Sequence, residues 1–379
     1  MGLLFEYGTL NGGEFSILAV IPRLQRRGVF LSAACPEDTP LAHELKKLGV
    51  ETGDPIAELA GDDQFADRLH SWADNKDLQL IHANSLAMGR KLGRVCDRLT
   101  IPTSCHLRDI IKLSRSAIDD LNRHSGRVAV SQAVREFHLR QGLSESETMT
   151  IFNGVNLERF SPGSVSRDLR EELSLPPETR FVTNVGQICL RKGQDDFAQA
   201  VALLAKDFPD VQFLLVGERH SQKAESVRFD KQIDEIIRSA GIAGRFHRLG
   251  FRRDLTDIFR QTDVLLHTAR QEPLGRVLLE AAATETAIVA TDVGGTAEIL
   301  EDGVSAILVP SKSPEQAAQA VRRLLQDDKL RTGFRRNARL AIETRFDVNR
   351  SADALEPFWR EVISRGVETR GADSPRSPH

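Results

Sequence analysis

The sequence predicts an α/β protein of two doubly wound domains, each a parallel sheet with helices on both faces. Three observations predict it. Short apolar, β-branched runs alternate with helical patterns almost from end to end, which is the rhythm of βα units. The 379 residues are enough for two or three domains of about 150 residues each. A break at Ser161-Pro162-Gly163-Ser164, followed by a charged stretch and Pro176-Pro177, divides two halves of the same rhythm, as a linker would.

In the first half, strands are expected near 3–7, 28–34, 78–83, 101–106, 126–130 and 148–152, with helical patterns between them such as 14–27 and 86–99. In the second half, strands are expected near 180–186, 211–217, 245–250, 263–267, 287–291 and 305–309, with helices near 193–206, 254–261, 276–284 and 314–326. Two Rossmann-like domains follow, over 1–165 and 166–345. A helix at 346–368 is expected to return to the first domain. The segment 369–379, with its prolines and serines and little apolar surface, is expected to be a disordered tail.

Composition removes several classes of function. Lys plus Arg number 51 against 54 Asp plus Glu, a net charge of −3, which argues against a nucleic-acid partner for the whole chain. Hydrophobic content of 40% with 28% charged residues excludes wholesale disorder. Cys35, Cys96, Cys105 and Cys189 form no C-x-x-C pair, so they read as buried thiols in a reducing compartment. No basic leader opens the chain and no run approaches 18 apolar residues. A cytoplasmic protein is the expectation. There is no G-x-G-x-x-G, no P-loop, no G-x-S-x-G and no H-E-x-x-H, which weakens dehydrogenase, NTPase, hydrolase and zinc-enzyme readings.

The richest stretch is Glu272-Pro273-Leu274-Gly275-Arg276-Val277-Leu278-Leu279-Glu280. It follows the expected strand Val264-Leu265-Leu266-His267, where a parallel sheet presents ligands. Gly275 would allow close backbone approach, and the helix beginning at Arg276 would offer free N–H donors suited to a diphosphate. Glu280, about a turn and a half further on, would accept hydrogen bonds from vicinal hydroxyls. Glu272, in the loop ahead, would reach a second polyol.

Glu272 and Glu280, eight apart around Gly275, resemble the E-x7-E motif of the retaining GT-B glycosyltransferases of family 4. Four further segments agree in order: Gly12-Gly13-Glu14; Ile151-Phe152-Asn153-Gly154-Val155-Asn156 with Phe160; Val185-Gly186-Gln187 with Arg191-Lys192-Gly193; and Asp292-Val293-Gly294-Gly295 with Glu298, then Asp302-Gly303. The resemblance covers nearly the whole chain. It implies the GT-B fold, two Rossmann-like domains facing a central cleft, with a nucleotide-diphosphate sugar bound by the second domain and the acceptor by the first.

Carried over residue by residue, Glu280 would bind the donor ribose and Glu272 the hydroxyls of the transferred sugar. Backbone N–H groups from Gly275 through Arg276 and Val277 to Leu278 would hold phosphate. Lys192, with Arg191, Gly186 and Gln187, would neutralise the departing diphosphate, because charge grows there as the glycosidic bond breaks. Phe251 would flank the base, and Gly13 would approach the donor. His106, closing the strand Ile101 to His106, would contact the donor sugar from the acceptor side. Gly12, Arg108 and Asp109 would face the acceptor, a glycan, a lipid-linked sugar or a small molecule. The catalytic set would be His106, Lys192 and Glu272.

The family implies front-face transfer with the anomeric configuration kept. With no D-x-D clamp near the site, no metal and no cofactor are expected. Polysaccharide, lipopolysaccharide or glycolipid synthesis would be the setting. Residues 90–140 are rich in Lys and Arg, and Met88, Leu92, Val95 and Leu99 form an apolar stripe with Arg90, Lys91, Arg94 and Arg98 around it. Such a helix either faces a core or rests on an anionic membrane.

Gln187 stands where many members of the family carry arginine. Glu285 and Ala287 replace a usual glycine and proline, and Ala306 a common glycine. These departures keep open a non-catalytic sugar-nucleotide-binding protein, beside a nucleotide-sugar epimerase on the same fold. A phosphorylase would need a pyridoxal-phosphate lysine and a longer chain.

Overall fold

The computed structural model describes residues 1–53 and 55–372, with side chains to Gly366. The chain forms two compact units. Unit 1 comprises Met1–Gly154 together with the segment from Val348 onward, and unit 2 comprises Val155–Asp347.

Among the described residues, unit 1 holds seven strands: β1 (Gly2–Leu4), β2 (Ser32–Ala34), β3 (Glu51–Gly53), β4 (Ile81–Ala83), β5 (Thr103–Leu107), β6 (Gly126–Ala129) and β7 (Thr148–Thr150). Unit 2 holds six: β8 (Arg180–Val185), β9 (Val211–Val216), β10 (Phe246–Gly250), β11 (Val264–His267), β12 (Ala287–Thr291) and β13 (Ile307–Val309). Their spatial orders are β3-β2-β1-β4-β5-β6-β7 and β10-β9-β8-β11-β12-β13, and every strand pairing is parallel. Both sheets start at an inner strand, wind to one edge and then to the other. The winding reverses between β1 and β4 in unit 1, and between β8 and β11 in unit 2. Open α/β sheets bind ligands at the strand C-termini beside such a reversal. That rule selects the loops described below.

The strands form where apolar residues run together because each sheet is covered on both faces. Phe181 and Val182 of β8, Phe213 to Leu215 of β9 and Val264 to Leu266 of β11 are fully buried. Strand β3 has no counterpart among the expected strands. Its residues Glu51, Thr52 and Gly53 lie exposed or half-buried at the sheet edge, so the sequence shows no apolar run there.

The boundary between units falls at Gly154/Val155 rather than 165/166. Residues 155–165 are bonded into unit 2. The Val155 N–H donates to the Phe346 carbonyl at 2.8 Å. Phe160 is buried. Arg260 donates from Nε to the Ser161 carbonyl at 2.8 Å and from a terminal nitrogen to the Ser164 carbonyl at 2.7 Å. The Pro/Gly-rich stretch is thus held down by an arginine.

The last helix spans Val348–Ala372 and lays Leu355, Phe358, Trp359 and Val362 into the unit 1 core with Ile17, Ile21 and Leu24. Arg23 and Arg27 pair with Asp353, and Arg27 also with Glu356. The helix includes residues 369–372, which the sequence assigns to a disordered tail. The remainder of that expected tail, 373–379, lies outside the described residues.

The expected helix 86–99 is two elements, an α-helix Leu86–Gly93 and a single turn Cys96–Arg98. Met88, Leu92, Val95 and Leu99 are all buried in unit 1, so the apolar stripe is used by the core. Lys91 donates to the Ala57 and Leu59 carbonyls, while Arg94 pairs with Asp62 and Arg98 with Asp63. Among the described residues, no helix is long and apolar enough to cross a membrane.

Candidate functional site

In unit 2, the loops after β8 and β11 meet beside the winding reversal. Gly193 adopts φ +62°, and a Cβ there would lie 2.2 Å from the Thr268 carbonyl oxygen; only glycine lets the two loops approach this closely. Hydrogen bonds lace them. The backbone N–H groups of Arg270 and Gln271 donate to the Arg191 carbonyl at 2.8 and 3.2 Å, and Thr268 Oγ1 donates to the Gly193 carbonyl at 2.8 Å. The Arg270 guanidinium pairs with Asp195 and Asp196 at the start of the helix Gln194–Leu204. The segment carrying Lys192 is therefore fixed to the segment leading into Glu272.

That lacing delivers Lys192 and Glu272 to each other. Lys192 Nζ donates to Glu272 Oε2 at 2.5 Å, and His267 Nε2 lies 2.8 Å from the same oxygen. Glu272 is buried. Burial alone would push its carboxyl up; the Lys192 ammonium and then the His267 contact outweigh it and hold the group well below the ordinary carboxylate range. Burial pushes the His267 ring down, so it stays neutral and gives its one N–H to Glu272. Oε1 is left without a partner among the described residues, and an ionised oxygen there accepts hydroxyl donors. Sequence reasoning missed His267 as a site residue. Its only signal is a polar side chain closing an apolar strand.

Gly275, at φ +109°, opens the helix Arg276–Ala283. A Cβ at Gly275 would meet Leu278 Cδ1 at 2.8 Å. Of the four residues expected to present N–H groups, Leu278 does not: its N–H donates to the Gly275 carbonyl at 2.9 Å, and its side chain is fully buried. A tight first turn uses that donor internally. The Val277 N–H keeps no partner among the described residues. Glu280 is buried, with the Arg276 guanidinium 2.6 Å from its Oε1. Two residues of the expected donor site, Arg276 for its backbone and Glu280 for its carboxylate, thus meet through their side chains one turn apart.

The other expected donor-side residues surround this cluster. The Gly186 N–H donates to the Val216 carbonyl at 2.9 Å. The Gln187 carbonyl accepts from Gln194 Nε2 at 2.9 Å. Arg191 is exposed. Phe251, just past the end of β10, is 49% exposed, an aromatic face open to solvent at the sheet's ligand-bearing edge.

In unit 1 the corresponding edge carries Gly12, Gly13, His106, Arg108 and Asp109. Gly12 and Gly13 open the helix Gly12–Arg26, where the Asn11 N–H donates to Glu14 Oε2 at 3.0 Å in a capping box. Arg108 packs against Gly13. It donates from Nε to the Asn84 carbonyl at 2.9 Å, and from its terminal nitrogens to Asn84 Oδ1 at 2.8 Å and Asn153 Oδ1 at 3.1 Å. Burial pushes its guanidinium down to about 10, against the opposing charges of Glu14 and Asp109. All three of those acceptors are neutral oxygens. Asp109 is exposed, and its carbonyl accepts from His138 Nε2 at 2.9 Å. His106 is the penultimate residue of β5, which runs one residue past the expected strand end, and is 3% exposed, with Nδ1 2.7 Å from His82 Nε2. His82 and Asn84 were not among the expected site residues. They reach this edge because β4 pairs with β5, which no local spacing reveals.

The fold and these loops define a two-domain GT-B glycosyltransferase architecture. Residues 165–341 match the family model for group 1 glycosyl transferases, and residues 10–159 match the model for glycosyltransferase family 4. The chain belongs to this family of glycosyltransferases. It is 27% identical to a D-inositol 3-phosphate glycosyltransferase of Kineococcus radiotolerans, over 98% of this chain and 95% of the relative. A second relative of the same name, from Saccharomonospora viridis, is 30% identical over 57% of this chain and 50% of its own length. Among solved structures, the Anabaena protein HepE in complex with UDP and glucose superposes with a TM-score of 0.84 at 23% identity, covering 95% of this chain and all of that one.

Proposed function

We propose that this glycosyltransferase takes its sugar from a nucleoside diphosphate sugar and gives it to an acceptor hydroxyl, keeping the anomeric configuration and using no metal ion. One observation carries this reading: Lys192 and His267 converge on Glu272, whose side chain packs against Gly275 at the start of a helix. In the reaction, the bond from the anomeric carbon to the diphosphate oxygen breaks and a bond to the acceptor oxygen forms on the same face. The acceptor's proton passes to the departing phosphate. Negative charge grows on that phosphate, where Lys192, Arg191 and the helix start stabilise it more than they stabilise the intact donor. Glu272 Oε1 holds the transferred sugar's hydroxyls. Glu280 takes the ribose once Arg276 turns to phosphate. Gly186 and Gln187 line the diphosphate, and Phe251 the base. His106 contacts the sugar.

On the acceptor side, Arg108 is half-buried and bonded only to neutral oxygens in the contacts given above, a disposition that suits an acceptor bearing negative charge. The Kineococcus relative is named for inositol 3-phosphate, which makes that compound the first acceptor to assay, with Gly12 and Asp109 expected to line its pocket. Peripheral contact with an anionic membrane would accompany only a lipid-linked acceptor.

The test is thermal shift with UDP, GDP, ADP and their sugar conjugates in EDTA, followed by turnover and NMR of the product anomer. One base is expected to stabilise the chain, by about 2.7 kcal/mol at 100 times its dissociation constant. Lys192→Ala is expected to lower kcat by at least about a hundredfold. An inverted product, or activity lost in EDTA and restored by a divalent ion, overturns the corresponding part of the proposal. Donor binding with no transfer to any acceptor favours the non-catalytic reading.

A further inference from the structure

The buried pair behind His106 has a defined polarity. His82 Nδ1 receives the indole N–H of Trp359 at 3.4 Å and lies 2.8 Å from Ser104 Oγ. An indole nitrogen only donates, and the Ser104 hydroxyl can donate as well, so the tautomer that satisfies both contacts has Nδ1 as the acceptor nitrogen of His82. Both rings are buried, and burial, with the nearby Arg108 charge, pushes both well below the ordinary histidine range, so each is neutral with a single N–H. For His82 that proton is on Nε2. Nε2 lies 2.7 Å from His106 Nδ1, with the rings edge to face at 86°, and donates to it. His106 then carries its own proton on Nε2, which has no partner among the described residues. The opposite tautomer of His82 would turn two N–H groups toward each other at Trp359.

We propose that His82 is a positioning residue that, oriented by Trp359 and Ser104, holds His106 as its Nε2–H tautomer. The proposal rests on the reading above that His106 contacts the transferred sugar. It adds the sense of that contact: His106 presents a fixed donor to a sugar oxygen, not a lone pair to a sugar hydroxyl. A second histidine is suited to this task because a neutral imidazole transmits polarity, accepting at one nitrogen and donating at the other.

The experiment is a long-range 1H–15N spectrum of the full chain labelled in its histidines, with His106 assigned by loss of its signals in His106→Gln. The expected wild-type pattern is a protonated Nε2 and an unprotonated Nδ1. His82→Phe keeps an aromatic ring but removes the donor; His106 is then expected to show mixed tautomers, and kcat to fall about tenfold with KM unchanged. His82→Gln, whose amide both accepts and donates, is expected to restore the single tautomer and most of kcat, which a purely packing role would not. Trp359→Phe, lacking the indole N–H, is expected to admit the minor tautomer. A wild-type His106 protonated at Nδ1 overturns the proposal, as does a folded His82→Phe with unchanged tautomer and kcat. The spectrum is read without turnover, so the expected tautomer in a protein that transfers no sugar would sink the functional reading alone.

Discussion

Glu272 and Glu280 have the same chemistry and different fates. Glu272 is gripped at one oxygen by Lys192 and His267 and kept ionised. Glu280 faces a guanidinium from its own helix. Both residues were legible in the sequence as a spaced pair, and so was Lys192; their partner His267 was not, because one histidine at a strand end carries no periodic signal. Glu285 shows the converse, a departure legible in sequence whose outcome needed geometry. It takes φ +56° in the turn between the helix Arg276–Ala283 and β12, and its carbonyl accepts from Arg335 Nε. A side chain in the left-handed region costs about 1 kcal/mol, and glycine removes that cost while adding freedom to the unfolded chain. Glu285→Gly is therefore expected to raise stability by about 0.5–1 kcal/mol, read from the urea midpoint. A lower midpoint would mean the turn is not strained.

The last helix tests which interactions hold an element to its unit. Its polar seam is Arg23 and Arg27 against Asp353 and Glu356, with the Asp353 and arginine side chains more than a third exposed; its apolar seam is Leu355, Phe358, Trp359 and Val362. Exposed ion pairs contribute less than about 1 kcal/mol, whereas truncating a buried aromatic costs about 3–5 kcal/mol. Arg27→Ala is accordingly expected to leave the denaturation midpoint of unit 1 nearly unchanged and Trp359→Ala to lower it strongly. Equal effects would show the ion pairs to be the fastening. Elements with a dense apolar pattern, such as β8, β9 and this helix, could be read in advance. Strand β3 could not, since it is a polar three-residue edge. The Leu86–Gly93 helix was overextended because its apolar stripe continues through the turn at Cys96–Arg98 into the same core.

Across the whole molecule, burial of histidines sets a pH dependence. His82, His106, His124 and His138 in unit 1 and His267 in unit 2 are all pushed below the ordinary value by desolvation, His124 to about 4. In the unfolded chain they titrate near 6.5. Below that pH the unfolded chain binds more protons than the folded one, so stability is full above about 6.5 and lost as pH falls toward the folded values. His124 alone accounts for roughly 3 kcal/mol over that window. Urea midpoints are expected to drop between pH 7.5 and pH 5; constant midpoints would mean the rings are charged or hydrated in the folded state.

The path of the chain through the two units has a consequence for synthesis. Unit 2 is one uninterrupted segment, while unit 1 is made of two stretches on either side of it. On a ribosome, all seven strands of the first sheet emerge early, yet the helix bearing Trp359 is translated only after every residue of unit 2. Until then, part of that sheet's apolar covering is missing and the nascent domain is open to chaperones. The second unit, by contrast, has all its strands in hand while the chain is still being made. The half that starts first therefore finishes last, and a stalled or truncated chain would leave a complete second unit beside an unfinished first.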